Sequence, residues 1–289
     1  MNKSICFFSV VYPAVQPFLA DFFASLDRQT APNMDIVIGV DSWPGFERFV
    51  PEKLLARTKI VDCKGTPAEV RDQCFSFICR QGYDHVVIGD SDDTFSDDRA
   101  AIVSDLLGKY DIVVNDFDIV NEKNEVIESA YLSSRLKDGH EISFEMILDH
   151  NSIGLSIAAV RSVILKGIKL SDNVPAIDWH LFTRLLHGGA RAVFTAKTKT
   201  LYRVHGKNTL KLSDFSADEA LTVLRAKAAH YRSVAYLAQP LNERRLRFES
   251  LLGRVSADKS LLEAYVGRIN SEKIFHPLWF ENCKYLEVI

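Results

Sequence analysis

The chain has 289 residues, of which 47% are hydrophobic and 25% charged, an ordinary globular composition with enough apolar material for one large domain and an extension. A formal net charge of −3 and a pI near 6.3 give no whole-chain reason to expect a nucleic-acid partner. No stretch approaches the roughly 18 apolar residues of a membrane span, so neither a transmembrane helix nor a signal peptide is expected. The five cysteines, Cys6, Cys63, Cys74, Cys79 and Cys283, form an odd set without paired metal spacing. They read as reduced core thiols of a cytoplasmic protein.

In chain order, short β-branched or aromatic runs alternate with amphipathic stretches, the pattern of a mostly parallel sheet covered by helices. Strands are expected at Ile5 to Val11, Asp35 to Val40, Lys59 to Asp62, His85 to Gly89 and Asp111 to Asn115. The sharpest helix signal is Thr66-Pro67-Ala68-Glu69: Thr66 can cap, Pro67 suits the first helical position, and Glu69 completes a capping box. That helix should run to about Gln81 and stop at Gly82. A hairpin is expected from Phe117 to Asn121 and Glu125 to Tyr131. A helix around Glu141 to Asp149, a strand around Ile153 to Val160, and a helix from about Asp178 to His187 follow.

After Asn208 the strand signals stop. Ser216-Ala217-Asp218-Glu219 is a second capping box, and two or three amphipathic helices are expected beyond it, with a final aromatic segment from Phe275 to Tyr285. The change of pattern divides the chain into residues 1–208 and a helical extension, 209–289. In the extension, Arg244, Arg245 and Arg247 alternate with Leu246 and Phe248, and Leu278-Trp279-Phe280 adds an aromatic knob. Helices packed on a core with their charges solvated account for this; so does a surface that touches membrane headgroups or a second copy of the chain.

The chemistry concentrates after the fourth strand. His85-Val86-Val87-Ile88-Gly89 runs directly into Asp90-Ser91-Asp92-Asp93, so three carboxylates leave the carboxyl end of a central strand together. Ligands of open α/β sheets bind beyond that edge. Like charges this close repel unless a cation sits among them, and a hard divalent ion that also bridges phosphate oxygens suits the site. A solvated turn before the next helix is the plainer alternative.

These residues resemble the glycosyltransferases of the GT-A fold, in particular family 2, whose Asp-x-Asp motif follows a hydrophobic strand as Asp90-Ser91-Asp92 does. Phe7-Phe8-Ser9-Val10-Val11-Tyr12-Pro13 is similar to the family's opening strand, and Ile36-Val37-Ile38-Gly39-Val40-Asp41 to its second. Ala68-Glu69-Val70-Arg71-Asp72 is similar to its Ala-Arg-Asn helix start, Ile177-Asp178-Trp179 to its Glu-Asp-Trp motif, and Leu201-Tyr202-Arg203-Val204-His205 to its closing Tyr-Arg-x-His. The matches stand in family order over about residues 4 to 208.

The resemblance implies a metal-dependent, inverting transfer of a sugar from a nucleotide diphosphate, a UDP-sugar first among the candidates, to the hydroxyl of a glycan or lipid-linked acceptor. It further implies assembly of a bacterial surface glycan, on the cytoplasmic side and at the inner face of the membrane. The donor would meet Pro13, Asp41, Arg71, Asp90, Ser91 and Arg203. Asp90, Asp92 and His205 would hold Mn2+ or Mg2+, and Asp178 would be the general base for the acceptor hydroxyl. Each has a plainer reading: Asp41 as a turn residue, Arg71 in a salt bridge with Glu69 or Asp72, Asp178 as a helix N-cap, His205 as a structural histidine. Ile177 stands where the family often has glutamate, so the Asp178 motif is incomplete. Trp43 reads equally as a stacking surface or part of a Trp-Pro-Gly turn.

Two rival functions use the same turn. Asp90-Ser91-Asp92-Asp93-Thr94 also satisfies Asp-x-Asp-x-Thr, the nucleophile loop of haloacid dehalogenase-like phosphatases, with Asp90 as nucleophile. A GT-A-like chain kept only for binding or scaffolding is the other. A sugar-nucleotide pyrophosphorylase would need a glycine-rich loop after the first strand, where this chain has Val11-Tyr12-Pro13-Ala14.

Overall fold

A computed structural model describes residues 4–205, 214–272 and 285–286. The chain divides into two compact units that interleave in sequence: Met1–Ser143 with Ile153–Asp172 and Gly189–His205, and Phe144–Ser152 with Asn173–Gly188 and Gly206–Ile289. The boundary expected near residue 208 lies outside the described residues.

The first unit is a mixed sheet flanked by helices. Its elements are β1 (Ile5–Val11), α1 (Leu19–Asp27), β2 (Asp35–Asp41), α2 (Glu52–Leu55), β3 (Thr58–Cys63), α3 (Pro67–Gln81), β4 (His85–Ile88), β5 (Thr94–Phe95), α4 (Arg99–Leu106), β6 (Ile112–Val120), β7 (Val126–Glu128), β8 (Glu141–Ile142), β9 (Ala158–Arg161) and β10 (Ala192–Arg203). The strands lie in the order β3-β2-β1-β4-β9-β6-β10-β5, with β7 beside β6 and β8 beside β10. The first four are mutually parallel, so their carboxyl ends share one rim.

Strands β1 and β4 are buried along almost their whole lengths, as their unbroken apolar runs require. Phe7, Phe22, Ile36, Ile38, Val87 and Phe95 belong to a core packed under that rim. Fully burying each such side chain contributes about 1.5–3 kcal/mol. Helix α3 begins at the expected capping box, Thr66 with Glu69, and ends at Gly82, whose φ of 77° is the left-handed conformation glycine adopts without a Cβ penalty.

Three expectations about the elements are corrected, and one strand is added. The strand read as ending at Asn115 continues through Asn115-Asp116 to Val120, because both polar side chains are satisfied inside the fold. Asp116 Oδ1 accepts from the backbone N–H groups of Phe117 (2.9 Å) and Leu132 (2.8 Å), and Asn115 bonds Arg99 and Thr200. The helix expected around Glu141 to Asp149 is only a 3-10 turn, Glu145–Ile147, because Glu141–Ile142 pairs with the edge of β10. The strand expected from Ile153 begins only at Ala158, after a 3-10 turn, Leu155–Ile157. Strand β10, twelve residues long, had no counterpart in the reading of the sequence; it pairs in parallel with β6 across a bulge between Thr195 and Lys199.

The second unit is helical: α5 (Ile177–His187), α6 (Ala217–Val234), α7 (Gln239–Ala257) and α8 (Lys259–Ser271). Ser216 and Glu219 form the second capping box as expected, and Asp258 caps α8. Trp179, Tyr231, Leu241, Phe248 and Tyr265 form its core. Trp179 stacks on His230 at 3.7 Å, and its Nε1 donates to the Ile147 carbonyl at 2.7 Å. In the arginine-rich stretch, Arg244 forks onto Asp149 and Arg245 pairs with Glu249, while Leu246 is exposed and Phe248 buried. The aromatic knob at 278–280 and Cys283 lie outside the described residues, as do Gly206, Lys207 and Asn208. Among the described residues Cys6, Cys63, Cys74 and Cys79 are free thiols, and no helix is long and apolar enough to cross a membrane.

Candidate functional site

The acidic turn is shaped by close packing at its entry. A Cβ on Gly89 would lie 2.4 Å from Phe95 and 2.5 Å from Phe7, so only glycine lets β4 leave the sheet over these rings. The next residues then divide by role. Asp90 and Asp92 are partly exposed, whereas Ser91 and Asp93 are buried. The Ser91 hydroxyl donates to the Val10 carbonyl at 2.7 Å, tying the turn to the end of β1.

Asp93 faces inward. Its Oδ1 accepts from the Arg203 backbone N–H at 2.8 Å, and its Oδ2 accepts from the Ser156 hydroxyl. Burial, reinforced by the charges of Asp92 and Asp90, pushes its carboxyl well above the usual carboxylate range. Beneath the turn lies a buried cation, Arg99. Its Nε donates to Asn115 Oδ1 and its Nη2 to the Ile88 carbonyl, each at 2.7 Å. Burial pulls the Arg99 guanidinium down to about 9, opposed by the charges of Asp93 and Asp90. Arg99, Asn115, Ser156 and Thr200 were missed from sequence. The one signal was a polar pair, Asn115-Asp116, inside an apolar run.

Arg203 is buried, so its guanidinium braces the turn. Nε donates to the Asp92 carbonyl (2.8 Å), Nη1 to the Glu122 carbonyl (2.9 Å) and Nη2 to Asp21 Oδ2 (3.0 Å), with Phe18 under the guanidinium. Two residues on, His205 stacks against Phe18 and brings its Nε2 to 3.0 Å from Asp92 Oδ2. The end of β10 therefore closes over the acidic turn.

The other expected donor residues lie on the same unit. Pro13 is exposed and opens the 3-10 turn Pro13–Phe18 after β1. Asp41 ends β2, and its Oδ1 accepts from the Ser42 hydroxyl at 3.0 Å. Arg71 sits near the start of α3 with its Nη1 on the Pro67 carbonyl at 3.0 Å. Tyr12 is 42% exposed, and its hydroxyl is held above its ordinary value by burial and by the charges of Asp92 and Asp90, with Arg71 opposing. One exposed aromatic thus feels the acidic turn and Arg71 together. Trp43 does not reach the rim: it is buried against Phe46 and Phe49.

Among the described residues no three His, Cys, Asp or Glu side chains are preassembled as a metal cage. The donor set nevertheless fits a divalent ion that arrives with a diphosphate. Such ions keep several waters and take one or two carboxylates plus phosphate oxygens, and Asp92 with His205 Nε2 and Asp90 supplies that number.

Asp178 belongs to the second unit. It is the second residue of α5, whose N-cap is Ala176, so the N-cap reading of Asp178 is corrected; its Oδ1 accepts from the Trp179 N–H at 2.8 Å.

No family model and no curated protein matches this sequence. Solved structures do. The chain is similar to S. aureus TarS 1-349, with a TM-score of 0.60 at 12% identity over 85% of this chain and 71% of that one. It is similar to the same protein in complex with UDP-GlcNAc, with a TM-score of 0.61 at 14% identity over 85% and 72%. The mannosyltransferase PcManGT from Pyrobaculum calidifontis, in complex with GDP-Man and Mn2+, gives a TM-score of 0.58 at 11% identity over 98% of this chain and 84% of that one. The chain has the GT-A fold.

The acidic turn follows the fourth strand of the chain, at the centre of the sheet. The phosphatase family normally places its nucleophile loop on its first strand, whereas here β1 is followed by Tyr12 and Pro13 and the acidic turn follows β4.

Proposed function

We propose that the chain is a metal-dependent, inverting glycosyltransferase that moves a sugar from a nucleotide diphosphate, a UDP-sugar first, to an acceptor hydroxyl. The observation that carries this is the pairing of Asp92 with His205 beside the half-buried Asp90, at the rim where the parallel strands β1 to β4 of the mixed sheet end. The nucleotide sugars bound by the structural relatives, UDP-GlcNAc and GDP-Man, support the donor class, and the Mn2+ of the mannosyltransferase supports a divalent ion.

In this reading Asp92 and His205 hold Mn2+ or Mg2+, with Asp90 sharing the ion or meeting the ribose. Held there, such an ion would supply positive charge for the diphosphate as it leaves. Asp41 receives the base, Arg71 the base or a phosphate, and Pro13 lines the donor, while Ser91, buried with its hydroxyl on the Val10 carbonyl, contributes by shaping the turn. Arg203 contributes by bracing the turn. Asp178 takes the proton of the acceptor hydroxyl as that oxygen attacks the sugar carbon opposite the leaving group. The acceptor is a glycan or a lipid-linked glycan met at a membrane surface, in the assembly of a surface polysaccharide or glycolipid. The helical unit offers a surface for a second copy of the chain.

The test is a screen of nucleotide sugars with Mn2+ or Mg2+, followed by release of UDP or GDP, for the wild type and Asp178→Asn. The wild type should turn over one donor only with metal. Asp178→Asn should bind it equally but lose about 10²- to 10⁴-fold in transfer, the usual worth of a general base. Nucleotide binding with no turnover of any donor or acceptor would favour the scaffold reading instead.

A further inference from the structure

Two neighbouring segments of the first unit are joined twice, once above and once below. One segment is the end of β4 and the acidic turn, Ile88 to Asp93. The other is the 3-10 turn Leu155–Ile157 with the start of β9. Below, the buried Arg99 guanidinium bridges them, its Nη2 donating to the Ile88 carbonyl at 2.7 Å and to the Ala158 carbonyl at 3.4 Å. Above, the Ser156 hydroxyl bridges them: it accepts from the Asp90 backbone N–H at 3.1 Å and donates to Asp93 Oδ2. Ser156 is itself held, since its carbonyl accepts from Thr200 Oγ1 at 3.0 Å. Thr200 Oγ1 in turn accepts from Asn115 Nδ2 at 3.0 Å, and Asn115 Oδ1 from Arg99 Nε at 2.7 Å.

The result is a buried chain of hydrogen bonds from Arg99 through Asn115 and Thr200 to Ser156, closed through the backbone from Ile88 to Asp90, with the buried Asp93 carboxyl attached at the Ser156 hydroxyl. One hydroxyl in it touches both sides of the Asp90-Ser91-Asp92 triplet: the N–H at its start and the carboxylate just after its end. A carboxylate pair that must meet an ion loses affinity steeply when its supporting contacts are left loose.

The geometry points to Ser156 as a positioning residue of the acidic turn, whose hydroxyl, held by the Arg99–Asn115–Thr200 chain, sets the aim of Asp90 and Asp92 toward a divalent cation. The inference rests on the reading of those two carboxylates as the cation's ligands. Ser156 itself would touch neither ion nor donor. A hydroxyl is the group the place demands, since one atom must accept from an N–H and donate to a carboxylate at once. Threonine could do the same, alanine could not, and cysteine could do so only weakly.

The experiment measures Mn2+ affinity with UDP present, by the electron paramagnetic resonance signal of free Mn2+, for the wild type, Ser156→Ala, Ser156→Thr and Ser156→Cys, beside their melting curves. Ser156→Ala should bind Mn2+ about tenfold more weakly, and Ser156→Thr should restore affinity to within about threefold of the wild type. Metal-free UDP affinity should not change in either variant. If Ser156→Ala does not fold, Ser156→Cys takes its place and should be weakened in the same direction. Wild-type Mn2+ affinity in a folded Ser156→Ala or Ser156→Cys variant, or a Ser156→Thr variant as weak as Ser156→Ala, overturns the positioning role and leaves the metal site standing. A wild type that binds no Mn2+ with UDP overturns the metal site and the positioning role together.

Discussion

The imidazole Nε2 of His205 lies 3.0 Å from Oδ2 of Asp92, with the His205 ring stacked on Phe18, so two residues 113 positions apart share one corner of the rim. Both are expected to hold the ion. Asp92→Ala should abolish the dependence of UDP binding on Mn2+ in isothermal titration, and His205→Ala should weaken it about ten- to a hundredfold. Equal Mn2+ dependence in Asp92→Ala and the wild type would remove the acidic turn from the donor site.

Arg203 is buried yet donates to three separate segments, at Asp92, Glu122 and Asp21. Lysine carries the charge but not the fork. Arg203→Lys should therefore lower stability by about 1–3 kcal/mol by leaving carbonyl acceptors unpaired. Thermal melting checks this, and a Tm equal to that of the wild type would show that the brace carries no weight.

At Gly89 a methyl group would collide with two rings at 2.4 and 2.5 Å. Gly89→Ala should cost about 1–3 kcal/mol from overpacking and also misplace Asp90, lowering Mn2+ affinity. Denaturant unfolding and Mn2+ titration of the same variant test both halves. The buried position of this glycine distinguishes it from Gly82, where the left-handed φ is the constraint.

The helical unit should lose stability in mild acid. Burial, with a smaller contribution from Arg184, pulls the His180 imidazole down to about 4, and burial pushes His230 the same way. The unfolded chain takes up a proton near pH 6.5 that the folded one refuses until about 4, so the unfolded state binds more protons between those values. Stability should therefore fall as the pH drops from 6.5 toward 4, by on the order of 2–3 kcal/mol from His180 alone. Urea midpoints across that range should fall for the wild type and fall less for His180→Gln. Identical slopes in both would assign the loss elsewhere.

The sheet's first four strands and the helix opened by Thr66 were legible because each is specified by its own neighbours: an unbroken apolar run, a capping box, a glycine stop. The gathering of Asp90, Ser91 and Asp92 was legible for the same reason, since they adjoin one another along the chain. What sequence could not show is which of the clustered acids turns inward. Asp93 reads like its neighbours, and only Ser156 and the Arg203 backbone, 63 and 110 residues away, take it out of solvent.

The same holds for β6 and for Arg99. Asn115 and Asp116 look like the end of a strand until distant donors satisfy them, and Arg99 looks like a surface helix residue until Asn115 and the Ile88 carbonyl enclose it. Arg203 and His205 were singled out as chemistry, yet tertiary structure made one a buried brace and the other the partner of Asp92. Apolar periodicity and caps are local quantities, written in adjacent residues. The cost of burying a charge is settled only by what the rest of the chain brings to it.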